Sequence, residues 1–118
     1  MMKKILAELN ETLGARGSLI VSKDGLLIAA VVSHVPVERL AAMGAAILSD
    51  VKKSLEKAGM AEFTQCEVAA EQGKVILVAA GPTYLLVLTG PRIEIGAGSM
   101  EIKSAARQVA KAAEFATA

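Results

Sequence analysis

Glu38-Arg-Leu-Ala-Ala-Met-Gly-Ala-Ala-Ile-Leu-Ser-Asp-Val-Lys-Lys-Ser-Leu-Glu-Lys-Ala58 is the stretch on which the reading of this chain turns. On a helix of 3.6 residues per turn, Leu40, Gly44, Ile47, Leu48, Val51, Leu55 and Ala58 fall on one stripe, the spacing of a face laid on a core. The C-terminal half is an ordinary amphipathic cover, with Lys52, Lys53 and Glu56 opposite Val51 and Leu55. The N-terminal half differs, because Ala41 to Leu48 leaves no polar side for two turns. A helix that is apolar all round is buried all round, so Ala42, Met43, Ala45 and Ala46 need a cover that the core stripe does not supply. In a chain of 118 residues, that cover is expected to be another subunit.

Upstream, Ile5, Leu6, Leu9 and Leu13 alternate with Lys3, Lys4, Glu8 and Glu11 at helical spacing, which predicts a first helix over Met2 to Leu13 stopped by Gly14. Ser18–Ser22 and Leu26–Val32 are apolar runs joined through Lys23-Asp-Gly25, the turn chemistry of a β-hairpin. Neither run alternates with polar residues, so both faces of their sheet are expected to be covered. Pro36 suits the first turn of helix 2. Downstream, Phe63–Glu71 alternates strictly, with Thr64, Cys66, Val68 and Ala70 on one side and Gln65, Glu67, Ala69 and Glu71 on the other, as an edge strand does. Lys74–Ala80 and Tyr84–Thr89 are continuously apolar and read as central strands. A Gly-rich connection over Arg92–Gly98 leads into a last helix from about Ser99 to Ala116.

The order is αββαβββα, an α+β fold in one domain spanning 1–118. Pairing strand 1 with strand 5 buries the most apolar strands and gives one five-stranded antiparallel sheet of order 2-1-5-4-3, between helix 2 on one face and helices 1 and 3 on the other. Strand 3 suits its edge. Strand 2, Leu26-Leu-Ile-Ala-Ala-Val-Val32, is too apolar for a bare edge and is expected to be shielded.

Composition removes several functions. Thirteen Lys and Arg against 12 Asp and Glu give a net charge of +1, and aromatics make up only 3% of the chain, so neither a basic footprint nor a stacking surface for nucleic acid is present. One cysteine and one histidine admit no internal disulfide and no Cys/His zinc site, so no metal or cofactor is expected, in a cytoplasmic setting. Met1–Asn10 reaches Glu8 before an apolar run develops and reads as a helix rather than a signal peptide, and no apolar stretch approaches the ~20 residues of a membrane span.

Candidate chemistry is sparse. His34 stands beside Ser33 in a loop, without an acid placed to orient it, and Cys66 lies on the apolar side of its strand. Gly96-Ala-Gly-Ser99 precedes a helix but lacks the lysine of a P-loop and the third glycine of a dinucleotide fingerprint. Glu67 and Glu71 share a solvated strand face rather than a cleft. Arg16, Arg39 and Arg92 are the arginines outside the last helix that would serve an inserted guanidinium if the partner were a nucleotide hydrolase. No catalytic residue is expected, and the chain is read as a non-enzyme.

With this order in place, the chain resembles the roadblock family, the dynein light chain and gliding-motility B group of profilin-like domains. The resemblance rests on Gly17-Ser-Leu-Ile-Val-Ser-Lys-Asp-Gly-Leu-Leu-Ile-Ala29 as first hairpin, on the Ala-rich run Ala41–Leu48, and on Lys74–Leu88 as paired central strands. It departs from the family's asparagine-containing turn before helix 3, where this chain has Ile95-Gly-Ala-Gly98. The resemblance implies a cytoplasmic homodimer, helix 2 against helix 2 and strand 3 against strand 3, that regulates or scaffolds a Ras-like small GTPase, as a GTPase-activating partner in bacterial members. The contact residues would then be Ala42, Met43, Ala45, Ala46, Ser49, Thr64, Gln65, Glu67 and Ala69. The alternative is a small-molecule sensor of the PAS or GAF type, whose sheets share this strand order. That reading requires a ligand cavity beside the sheet, with some aromatic lining.

Overall fold

The computed structural model describes residues 1–60, 62–92 and 95–117, side chains excepted at 95–98 and 115–117. The elements are α1 (Met2–Leu13), β1 (Gly17–Ser22), β2 (Leu27–Val32), α2 (Val37–Lys57), β3 (Gln65–Ala70), β4 (Gly73–Ala80), β5 (Thr83–Thr89) and α3 (Ile95–Thr117). The five strands form one antiparallel sheet of order β2-β1-β5-β4-β3, as the hydrophobic runs predict. The closing joint is β1 on β5, in register from Gly17 opposite Leu88 to Ser22 opposite Thr83.

Because side chains alternate across a strand, the central strands send half their apolar residues to each face. Ile20, Ile76, Leu85 and Val87 meet Leu6, Leu9, Ile102 and Val109 under α1 and α3. Leu19, Val21, Leu77 and Leu86 meet Leu40, Ala41 and Leu48 under α2. Both interlayer spaces are filled by residues with almost no exposure, among them Leu19, Ile20, Leu77, Leu85, Leu86 and Val109. Two side chains tie α1 to its end of the sheet: Asn10 Nδ2 donates to the Val31 carbonyl at 2.9 Å, and the buried Ser18 hydroxyl donates to the Leu6 carbonyl at 3.4 Å.

Two expectations need correction. The last helix starts at Ile95, not near Ser99, so Gly96–Ser99 belongs to its first turns instead of a loop. Two glycines each cost about 1 kcal/mol in a helix. The buried stripe of Ile102, Ala105, Ala106, Val109 and Ala113 offsets that cost by seating a long α3 on the sheet. The second correction concerns β2. Leu26, Leu27 and Ile28 are 69%, 41% and 45% exposed, so the end of this edge next to the hairpin turn is not shielded by its own subunit, whereas Ala29 is buried and Ala30–Val32 are half-buried under α1 and α2. The exposed end is bent instead: the β1–β2 register shifts between Ile20 and Val21, whose partners are Ala29 and Leu27, and a bulge of this kind twists an edge away from regular pairing.

Gly44 sets how closely α2 approaches the sheet. A Cβ there would collide with Cδ2 of the fully buried Leu86 on β5. Gly44→Leu is expected to overpack this contact and cost about 1–3 kcal/mol in urea unfolding. An unchanged midpoint would show that α2 rides higher than described.

Candidate functional site

Besides the exposed start of β2, this packing leaves open the outer face of α2 and the free edge of β3. On α2, Ala42, Met43, Ala46 and Ser49 are exposed, while Leu40, Ala41, Gly44 and Leu48 are buried. Ala45 points elsewhere. A Cβ on Gly25, in the β1–β2 turn, would fall 2.6 Å from its Cβ, so Ala45 packs half-buried on the hairpin of its own subunit. Its flank of the helix therefore faces β2. Ile47 and Met43 lie on the opposite flank, at helical spacing.

β3 supplies the other part. Ala79 N–H donates to the Thr64 carbonyl at 2.9 Å, and the β3–β4 register continues unbroken through Ala70 opposite Gly73. Antiparallel pairs alternate between bonded and non-bonded. Cys66, Val68 and Ala70 therefore direct their main-chain groups to β4, and Gln65, Glu67 and Ala69 direct theirs outward. The side chains alternate in the other sense. Gln65 and Glu67 stand opposite Val78 and Ile76, which belong to the α1/α3 layer, whereas Cys66 packs with the α2 layer. Thr64, Gln65, Glu67 and Ala69 are all exposed. The structure thus brings Met43, Ala42, Ala46 and Ser49 to one helix face. It places the side chains of Gln65, Glu67 and Ala69 on the far side of the sheet from that face, with only their main-chain groups at the edge.

Residues that sequence reasoning assigned to the core fill the gap. Ile47 and Val51 on α2, Val75 on β4, Leu88 on β5 and Cys66 on β3 are half-buried around the α2 core, and Val68 is 38% exposed beside them. Their signal was the alternation of β3, which put Cys66 and Val68 on its apolar side.

The other candidates find structural roles or plain exposure. Arg16 Nη1 donates to the Gln72 carbonyl at 3.0 Å, and its guanidinium lies along Gly73 and Gly90, tying the start of β1 to the β3–β4 turn. Arg39 and Arg92 are exposed. His34 is exposed and has a left-handed backbone, φ 63°. Glu67 pairs with Lys74 at 3.5 Å, and Glu71 lies exposed beyond the end of β3. Among the described residues there is no cluster of three metal-ligating side chains and no helix long and apolar enough to cross a membrane.

A surface cleft of about 400 Å³ lies at the C-terminal end of α2, lined by Lys23, Lys52, Glu56, Met60, Phe63 and Tyr84. Phe63 meets Tyr84 edge-on, with centroids 6.0 Å apart, and Lys52 Nζ lies 5.8 Å from the Tyr84 centroid. The Tyr84 hydroxyl, then the charges of Glu56 and Glu62, hold the Lys52 ammonium above the ordinary lysine value.

The Roadblock/LC7 domain family profile matches residues 1–89 of the chain. The chain belongs to the Roadblock/LC7 domain family. It is 34% identical over 110 residues to the uncharacterized protein MJ1340 of Methanocaldococcus jannaschii, covering 92% of this chain and 96% of that protein. Among solved structures, this Roadblock/LC7 domain is similar to the gliding protein MglB from Thermus thermophilus, with TM-score 0.88 and 21% identity over 97% of this chain and 89% of that one. A structure of MglB described as having a tetrameric arrangement gives TM-score 0.90 and 22% identity over 98% and 89%. Acanthamoeba castellanii profilin IB gives TM-score 0.63 and 13% identity over 96% and 99%, which places the Roadblock/LC7 domain among profilin-like folds.

A raised lysine pKa stabilises the fold fully below the unfolded value, about 10.4, and that stabilisation is lost as pH rises through the folded value. Tyr84→Phe is therefore expected to bring the Lys52 titration, followed by NMR of its side chain, down toward the ordinary lysine range. A titration that stays in place would assign the shift to the glutamates alone.

Proposed function

We propose that this protein is a non-enzymatic, cytoplasmic homodimer that regulates or scaffolds a Ras-like small GTPase, with activation of GTP hydrolysis as its mode of action. Membership of the Roadblock/LC7 family supports the class of partner. The observation that carries the dimer is the pairing, on one side of the molecule, of an apolar outer helix face with an open strand edge. MglB, of the same fold, occurs in a tetrameric arrangement, which is in keeping with self-association.

Magnitudes require both parts. Burying Met43 is worth ~1.5–3 kcal/mol, whereas association costs ~4–15 kcal/mol, so the helix face alone does not hold two subunits. Main-chain bonds along β3, each worth about 0.5–1.5 kcal/mol, and closure over Ile47, Val68 and Cys66 extend the contact toward the ~800 Å² per partner of a standard interface. A dimer built this way presents two α2 helices side by side as one platform for the GTPase. Since Arg16 is committed to the Gln72 carbonyl, this reading has the partner's own catalytic residues rearranged rather than an arginine supplied from Arg16.

Ala46→Glu places a charge at the centre of the helix face. Sedimentation is expected to show dimers for the wild type and monomers for this variant, with the fold intact; dimers in both would remove α2 from the contact. Mixed with the Ras-like GTPases of its own organism, the wild type is expected to speed GTP hydrolysis by at least one, and Ala46→Glu to lose that effect. If none responds, the regulatory reading fails.

A further inference from the structure

We infer that the two copies join their sheets in one register, with Glu67 on the two-fold axis and Cys66 of each subunit facing Val68 of the other. The inference rests on the homodimer reading above and deepens it. The hydrogen-bond phase of β3 carries most of the argument. Only Gln65, Glu67 and Ala69 direct N–H and C=O groups outward, so a second antiparallel β3 can bond only where these three meet one another. A seam centred midway between Glu67 and Val68 would match the ends of the strand best. It is forbidden, because it sets outward groups of one copy against inward groups of the other.

Three of the registers that remain form more than one bonded pair; Gln65 or Ala69 on the axis leaves a single pair. With Cys66 on the axis, Gln65 bonds the partner's Glu67 and the reverse, two bonded pairs in all. With Val68 on the axis, Glu67 bonds the partner's Ala69, again two pairs. With Glu67 on the axis, Gln65 bonds the partner's Ala69, Glu67 bonds the partner's Glu67, and Ala69 bonds the partner's Gln65, making three pairs. Each pair exchanges two hydrogen bonds.

The third register has one adverse feature, a glutamate opposite a glutamate. Like charges facing one another across a ladder are unfavourable, but each Glu67 already has Lys74 of its own subunit at 3.5 Å. The additional bonded pair outweighs this repulsion. On the α2 side the same register sets the 38% exposed Val68 against the partner's half-buried Cys66, twice, at non-bonded positions where side chains approach most closely. The half-exposed apolar residues of the strand are thereby covered by one another.

Cysteine cross-linking separates the registers, because directly opposed non-bonded positions lie about 4.5 Å apart at Cα, within disulfide reach, and positions offset by two residues lie beyond about 7 Å. Wild type, Val68→Cys, and Cys66→Ser/Val68→Cys are oxidised with oxidised glutathione and run on non-reducing gels, with sedimentation in parallel. Val68→Cys alone is expected to become a covalent dimer. Cross-linking of wild type would overturn the inference in favour of Cys66 on the axis, and cross-linking of the double variant in favour of Val68. No cross-link in any of them, with sedimentation still showing dimers, would take β3 out of the seam. Monomers in sedimentation of the wild type would instead overturn the homodimer reading itself.

Discussion

The pairing of β1 with β5 is the constraint from which the rest of the molecule follows. It joins Gly17–Ser22 to Thr83–Thr89, strands far apart in the chain, and so links the N-terminal hairpin to the C-terminal meander in one sheet. Closing that joint commits a long loop of chain, an entropic cost that grows only slowly with loop length. It is offset by burial of Leu19, Ile20, Val21, Leu85, Leu86 and Val87 on both faces. Once β1 and β5 are central, β2 and β3 must be the edges, and the single long connection, α2, must cross one face. The opposite face is left to α1 and α3. The open β3 edge, with Cys66 on the α2 side of the sheet, is thus a consequence of sheet order, not a separate feature.

The two edges are treated differently, and the difference bears on function. β2 is apolar but bulged beside Ile28, and its ladder with β1 is irregular there. β3 is regular over its full length, polar on the α1/α3 face and apolar on the α2 face. A regular strand with its main-chain groups in phase is a template for another strand, whereas a bulged one is a poor template. The Lys74–Glu67 pair keeps the β3 edge soluble while leaving its backbone accessible.

Much of this was legible in the residues. The hairpin turn at Asp24-Gly25, the continuous apolar runs of strands 1, 4 and 5 and the strict alternation of Phe63–Glu71 were enough to order the sheet, because each reflects burial on two faces or one. Other parts were not legible for physical reasons. Gly96 and Gly98 read as a loop because local propensity disfavours glycine in helices, and only the docking of α3 overrides it. Ala45 read as part of an outward face because an apolar run does not record which side meets a neighbouring turn. For β3, alternation separated the two faces, but it could not reveal that the residues with outward main-chain groups carry their side chains on the face away from α2. That depends on hydrogen-bond phase, which the Thr64–Ala79 bond establishes and composition does not encode.

Amide hydrogen exchange of β3 as a function of protein concentration reads the pairing of a second copy along this strand. The Gln65, Glu67 and Ala69 amides are expected to be protected in concentrated solution and to lose protection on dilution, while those of Cys66, Val68 and Ala70, bonded to β4, stay protected throughout. Fast exchange of Gln65, Glu67 and Ala69 at every concentration would contradict that pairing.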